Sequence, residues 1–374
     1  MLKVMTIVGT RPELIRLSRV IAKLDETLDH VLVHTGQNYD YTLNEIFFEE
    51  LGIRRPDHLL GVDTSSLGTV LGETLIKSEQ VLEREQPDAV VVLGDTNSCI
   101  AALMAKRMRF PVYHMEAGNR CFDDRVPEET NRRMVDHVAD FNLVYTEHAR
   151  RNLLAEGLPA NRIVLTGSPL REVLTHHRPA IDASPVLDEL GLTPGGYFLA
   201  SVHRQENVDV PRRLEAVMDS LAAVSERWQL PVLVSTHPRT RARMESLAGW
   251  TPGQGLRFHK PFGFFAYNQL QRNARCVLSD SGSISEESSI LGFPAVTLRS
   301  AIERPEFIDA GGIVTTDVYV DNVLAGVDVT LSGHDRGDRP AAVSEYSVAR
   351  TSDVVVKHLL STARAAGMRR RRED

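Results

Sequence analysis

Short runs of consecutive apolar residues, closed by glycine or a polar cluster, alternate along this chain with longer stretches in which apolar positions recur every three or four residues. The first pattern predicts strands buried on both faces and the second amphipathic helices. Their alternation predicts parallel α/β sheets. In the first half, strands are predicted at 3–8, 30–34, 89–93, 111–115, 142–145 and 162–166, with helices such as Leu67 to Arg84 and Ile100 to Met108 between them. Thr166–Gly167–Ser168–Pro169 closes that half. Residues 170 to about 195 carry Pro179, Pro185 and Pro194 and end in Gly195–Gly196, which reads as a linker. The pattern then restarts, with strands at 197–202, 231–235, 255–258, 275–278 and 294–298 and a closing helix at 352–366. The basic tail from Arg369 to Asp374 reads as a disordered, solvated end. The organisation expected is a Rossmann-like domain at 1–170, a second at 171–350, and a closing helix and tail at 351–374. Two doubly wound domains would face a central cleft, and each would lend loops to it.

Composition narrows the function. A length of 374 residues suits two domains, and 42% apolar with 25% charged residues is the balance of a soluble globular protein. A net charge of −7 argues against a general nucleic-acid binder, so any phosphate recognition must be local. No apolar run approaches the ~20 residues that span a membrane. The chain opens directly on a strand-like segment, from which no secretory signal is expected. Cys99, Cys121 and Cys276 are widely spaced, form no CxxC and suggest a reducing cytoplasm. Nothing in the sequence places a base beside Cys121, which reads as a packing residue. The histidines show no metal-binding spacing, and neither GxGxxG nor GxSxG occurs.

The chemistry-bearing residues gather where predicted strands end, which is where open α/β sheets bind ligands. His114–Met115–Glu116–Ala117–Gly118–Asn119–Arg120 follows one strand and runs on to Pro127–Glu128–Glu129–Thr130–Asn131–Arg132. Pro127 and the two glutamates after it mark a helix start. The plainer alternative is that Glu128, Arg132 and Asp136, four apart, form a ladder of surface ion pairs. Asp95, in Gly94–Asp95–Thr96–Asn97–Ser98, ends another strand, either as a working carboxylate or as a helix cap. Asp95, Glu116 and Glu128 on neighbouring loops could push one another's acidities apart, as acid–base work requires. Gly9–Thr10–Arg11–Pro12–Glu13 ends the first strand and opens a helix, which suits an anion.

In the second half, His203–Arg204 and His237–Pro238 follow strands. Either histidine could be structural, and His203 beside Arg204 is the better placed for a phosphate. Ser279–Asp280–Ser281–Gly282–Ser283–Ile284–Ser285–Glu286–Glu287 is the strongest feature. Its small residues let backbone amides approach a diphosphate at a helix N-terminus, and Glu287 could accept from ribose hydroxyls. Arg299 and Arg304 follow the next strand. Phe262, Phe264, Phe265 and Tyr267 could stack on a base, although such clusters are more often core.

Taken in order, GTRPE at 9–13, GDT at 94–96, HMEAGNR at 114–120, PEETNR at 127–132, HRQEN at 203–207, HP at 237–238, SDSGSISEE at 279–287 and ERPE at 303–306 resemble the non-hydrolysing UDP-N-acetylglucosamine 2-epimerases. The resemblance runs from Val4 to about Asp317. It implies a GT-B type fold, a homodimer, a UDP-N-acetylhexosamine substrate, and no metal or redox cofactor. It also implies loss of the C2 proton as UDP leaves C1, giving a 2-acetamidoglycal to which UDP adds back. On this resemblance Asp95, Glu116 and Glu128 form the acid–base group, with base and acid unassigned among them, and Arg132 supports them. His203 and Arg11 would stabilise the departing diphosphate, and Ser281, Gly282 and Ser283 would cradle it. Glu287 would hold the ribose, and Arg304 the sugar or a phosphate; Arg16, Arg204, His237, Phe262 and Arg299 join the substrate-binding set.

Departures from the pattern matter too. Ser283 stands where the family has a second glycine, and Arg16 where a lysine is common. Thr35–Gly36–Gln37–Asn38–Tyr39–Asp40 replaces the pattern tied to allosteric activation, so that property is not carried over. The stretches at 35–48 and 117–132 look most like the branch that makes UDP-N-acetyl-L-fucosamine from a 6-deoxy-L-talosamine nucleotide. The alternatives are a GT-B UDP-sugar glycosyltransferase, which seldom needs a base at C2, a silent UDP-sugar sensor, and a hydrolysing epimerase.

Overall fold

In a computed structural model the described residues are 1–36, 41–124, 126–246, 253–299, 304–339 and 343–371, and the side chains of 41–45 and 368–371 are left aside. The chain forms two compact units, Met1–His176 with Ser344–Asp374, and His177–Val343.

The first unit is built on a seven-stranded sheet of β1 (Lys3–Val8), β2 (Asp29–His34), β3 (His58–Leu59), β4 (Ala89–Leu93), β5 (Val112–Met115), β6 (Phe141–Val144) and β7 (Ile163–Leu165). Its order is β3-β2-β1-β4-β5-β6-β7, and every pairing is parallel. The order reverses between β1 and β4, which places the switch point at the turns carrying Arg11 and Asp95. Strand β4 is wholly buried and wholly apolar, Ala–Val–Val–Val–Leu, as a strand covered by helices on both faces must be. Helices Leu67–Glu85 and Ala101–Arg107 cover one face, where Val81, Leu82, Val90, Val92, Ala102 and Ala105 share a core.

The second unit repeats the plan with β8 (Phe198–Ser201), β9 (Val232–Ser235), β10 (Leu256–His259), β11 (Val277–Ser279), β12 (Ala295–Leu298) and β13 (Val314–Thr316). The order is β10-β9-β8-β11-β12-β13, again parallel throughout. Both units are therefore doubly wound α/β sheets.

Three expectations need correction. The stretch after residue 170 is largely helical, with helices Leu170–His176, Arg178–Asp182 and Val186–Glu189, and it buries Ile181 and Val186. Two of its prolines start helices instead of breaking them: Pro179 lies in a first turn and Pro185 precedes one. The closing helix, Thr351–Arg371, is longer than the pattern predicted and packs on the first unit. There Tyr113 Oη meets Thr362 Oγ1 at 2.7 Å and His358 stands edge-on to Phe141. Arg369–Arg371 thus continue a helix, while Arg372, Glu373 and Asp374 lie outside the described residues. No helix among the described residues is long and apolar enough to cross a membrane.

Candidate active site

The first unit brings Asp95 and Glu116 to the carboxyl ends of β4 and β5. The β4 turn is held from below by Glu13. This buried carboxylate accepts from the Gly9 and Thr10 amides at 2.8 and 2.6 Å and from the hydroxyls of Thr10 and Ser98. Burial raises its pKa above the ordinary carboxylate value, and the hydrogen bonds oppose that shift. Glu13 thereby fastens the Arg11 turn to the Asp95 turn, a role that its place within GTRPE did not disclose.

Asp95 is not a helix cap. The 3-10 turn Asn97–Ile100 begins after Thr96, and the Asp95 carboxylate instead lies 2.7 Å from Arg132 Nη2. Asn131 Nδ2 donates to the Asp95 carbonyl at 2.9 Å. Glu116 follows β5 with φ of 63°, in the left-handed region that a glutamate seldom adopts. Its Oε2 lies 3.5 Å from Arg16 Nε, and Asn119 Nδ2 donates to Oε1 at 3.3 Å. A methyl group at Gly94 would sit 3.9 Å from that same Oε2, so the Glu116 carboxylate borders the Asp95 turn. Each carboxylate therefore meets a guanidinium. Arg16, expected among the substrate-binding residues, is buried against Glu116, with Tyr145 under its guanidinium.

Helix Pro127–Val138 carries Glu128 half-buried in its first turn. The surface-ladder alternative fails two turns on, since Arg132 and Asp136 are both buried. Glu129 is buried as well and accepts from Arg132, Arg133 and the Cys121 amide. The Cys121 thiol donates to the same carboxylate at 3.3 Å. A carboxylate does stand beside this cysteine, contrary to expectation. Burial first, and then Glu129, raise the thiol's pKa, so it stays protonated. Arg11 packs on the Phe47 ring at 5.3 Å.

The second unit gathers its candidates around Asp280, which is fully buried at the end of β11. Asp280 accepts from the amides of His203 and Arg204 at 3.1 and 2.9 Å and from Asn207 Nδ2 at 3.1 Å. It also lies 3.3 Å from His203 Nδ1. The His203 and His237 rings are 6.0 Å apart. His237 is partly structural, as it caps helix Pro238–Glu245 by accepting from the Arg239 amide.

The small-residue turn leads into helix Ile284–Leu291, as its sequence predicts. Ser281 Oγ and Ser283 Oγ are 2.9 Å apart. Ser283 Oγ donates to Glu287 at 2.8 Å, and Gln271 Nε2 donates to its other oxygen. The hydroxyl of Ser283 thus steadies Glu287. Arg304 Nε donates to the Gly282 carbonyl at 3.2 Å and its Nη2 lies 3.6 Å from the buried Glu286, while Arg299 Nε lies 3.8 Å from Glu206. Residues 300–303, with Glu303 of the ERPE motif, lie outside the described residues, as do 37–40 of the Thr35–Asp40 pattern.

The aromatic cluster divides. Phe264 is buried, and Tyr267, partly buried, bonds through its hydroxyl to Ser201. Phe262 is half-buried and stacks on His259 at 4.2 Å. Asp280, Asn207, Glu286 and Glu13 brace these turns, and motif reading did not single them out. What distinguishes them is burial of a charge or amide, which a single sequence does not display.

Comparison with known proteins identifies the family. The family model described as UDP-N-acetylglucosamine 2-epimerase matches residues 22–360. The structure of UDP-N-acetylglucosamine 2-epimerase from Rickettsia bellii is 46% identical, superposes with a TM-score of 0.91 and covers 98% of each chain. That of the Methanocaldococcus jannaschii UDP-GlcNAc 2-epimerase in complex with UDP-GlcNAc and UDP is 31% identical, with a TM-score of 0.88 over 96% of this chain and 100% of that one. The UDP-2,3-diacetamido-2,3-dideoxy-D-glucuronate 2-epimerase of Pseudomonas aeruginosa is 35% identical over 336 residues, 88% of this chain and 92% of its own. With a family match across most of its length, the chain belongs to the UDP-N-acetylglucosamine 2-epimerase family.

Proposed function

We propose that this protein is a non-hydrolysing epimerase at C2 of a UDP-N-acetylhexosamine. The reaction is UDP-N-acetylglucosamine to UDP-N-acetylmannosamine, or the 6-deoxy-L-talosamine to L-fucosamine equivalent. The observation that carries this reading is the pair of carboxylates, Asp95 against Arg132 and Glu116 against Arg16, at adjacent strand ends of one sheet. A site that only binds a nucleotide has no need of such a set, whereas moving a proton off carbon and returning one does.

In the proposed reaction a carboxylate takes the C2 proton. The C–H electron pair forms the C1=C2 double bond, and the C1–O bond breaks with its electrons leaving on UDP. A phosphate oxygen of UDP then adds back to C1 as a proton is delivered to the other face of C2. Asp95, Glu116 and Glu128 share the proton work, worth about 10²–10⁴-fold. His203, Arg11, Ser281, Gly282 and Ser283 hold the diphosphate, Glu287 the ribose, and Arg204, His237, Arg299 and Arg304 complete the nucleotide site. Keeping the glycal and UDP together supplies much of the remaining acceleration. The protein is taken as a cytoplasmic homodimer, the dimer being open to test by light scattering.

Two relatives support the chemistry more than the sugar. The M. jannaschii enzyme was solved with UDP-GlcNAc and UDP, whereas the P. aeruginosa relative is named for a diacetamido-glucuronate nucleotide. Proton NMR with UDP-N-acetylglucosamine in D2O and chelator tests the proposal. The expected result is a UDP-N-acetylmannosamine signal with deuterium at C2. Absence of exchange with UDP-N-acetylglucosamine, and then with the 6-deoxy-L-talosamine nucleotide, would overturn it.

A further inference from the structure

We propose that Asp136 is the positioning residue that sets both acid–base turns of the first unit; the inference rests on the C2-epimerase reading and deepens it. Asp136 lies near the end of helix Pro127–Val138 with its side chain fully withdrawn from solvent. One oxygen lies 2.9 Å from His114 Nδ1, and both accept from the Gly118 amide at 3.2 Å. His114 and Gly118 stand two residues before and two after Glu116, so one carboxylate holds both flanks of the Glu116 turn.

That turn needs holding. Glu116 at φ 63° and Gly118 at φ 81° are both left-handed, and for a glutamate this conformation persists only where its surroundings over-determine it. A side chain at Gly118 would have its first carbon 2.4 Å from the Ala149 carbonyl oxygen, so only glycine fits there. The second link runs to Asp95. The far nitrogen of His114 donates to the Gly94 carbonyl at 2.8 Å, and the Gly94 amide donates to the Met115 carbonyl at 2.9 Å. Both nitrogens of His114 thus face acceptors, and the ring bridges Asp136 to the residue before Asp95.

Asp136 is itself fixed. Arg120 Nη1 donates to it at 2.7 Å and offsets its charge, while the rest of that guanidinium grips Glu156 through two bonds of 2.7 and 2.6 Å. Asn142 Nδ2 donates to the Asp136 carbonyl at 2.9 Å. Asp136, His114 and Arg120 have no side-chain exposure, so none is placed to touch a substrate. Their effect passes through Glu116 and Asp95, and displacing a reacting group by about 1 Å costs on the order of 10²-fold in rate.

The test is steady-state kinetics on the full-length Asp136→Asn variant, using the nucleotide sugar that the wild type epimerises. Turnover is counted per UDP-binding site, with sites titrated by calorimetry. The expected result is a kcat at least 100-fold lower, with KM and the UDP dissociation constant within threefold of wild type. A kcat within tenfold of wild type would overturn the inference. So would a parallel loss of turnover and UDP-binding sites, which marks a purely structural role. Should Asp136→Asn fail to fold, His114→Gln breaks the ring's bridge between Asp136 and the Asp95 turn and leaves the Gly118 bonds to Asp136 in place. At least a tenfold fall in kcat at unchanged UDP affinity is then expected, and an unchanged kcat refutes the proposal. Wild-type exchange at C2 in the same assay keeps the two readings apart. If the wild type does not exchange, the epimerase reading fails; if it exchanges and Asp136→Asn matches it, only the role of Asp136 fails.

Discussion

Arg16 Nε lies 3.5 Å from Glu116 Oε2, with both side chains largely shielded from solvent. The first helix therefore reaches the acid–base site directly, through an arginine five residues from the Arg11 expected to meet the diphosphate. Arg16→Met should lower kcat about 10–100-fold, on the scale of one charge-assisted contact at a reacting carboxylate. Arg16→Lys should recover only part, because an ammonium cannot reproduce the guanidinium's fixed donors. C2 deuterium incorporation by NMR measures both.

Glu116→Gln should abolish turnover, by about 10³-fold or more, and leave UDP affinity within twofold. The amide preserves shape and removes the proton acceptor, while the nucleotide is assigned, Arg11 apart, to residues of the other unit. Calorimetry with UDP alongside the NMR assay separates the two effects. Wild-type turnover in this variant would remove Glu116 from the acid–base group.

Asp280→Asn should weaken UDP binding about tenfold or more. Its carboxylate accepts three bonds that shape the His203–Arg204 turn, and the asparagine amide would place a donor against donors. Calorimetry reads the outcome, and unchanged UDP affinity would show that the turn holds its shape without the charge.

His34 gives a pH signature. Its Nδ1 accepts from the Gly36 amide at 3.0 Å, which leaves the proton on Nε2, and burial lowers its pKa from 6.5 to about 4. Because the folded value is depressed, the unfolded chain takes up the proton first as pH falls. The neutral ring's contribution is complete above about pH 6.5 and is lost between there and about pH 4. By about pH 5 the loss amounts to about 2 kcal/mol. Urea unfolding at pH 7.5 and pH 5 should show His34→Leu losing about 2 kcal/mol less than wild type between the two. Equal losses would mean that His34 titrates normally in the fold.

The sheets were legible because their strands are buried on both faces and read as unbroken apolar runs, as Val90–Leu93 does. The two strands that escaped notice, His58–Leu59 and Val314–Thr316, are edge strands of two and three residues with little or no apolar run. The proline-rich stretch misled because a proline that starts a helix looks in sequence like one that ends it. The polar turns were legible by their place after strands, and the structure puts them at strand ends. What spacing could not supply was depth. Glu128, Arg132 and Asp136 recur every four residues whether that helix face meets water or the interior, and only the fold shows the last two to be buried.

The return of Thr351–Arg371 to the first unit also bears on synthesis. The second unit is one contiguous segment, His177–Val343, and can finish folding as it leaves the ribosome. The first unit, begun before it, must wait for residues 351–371 to be translated before its closing helix covers the Tyr113 and Phe141 rings. A ribosome stalled once Val343 has emerged would hold a finished second unit joined to an unfinished first one.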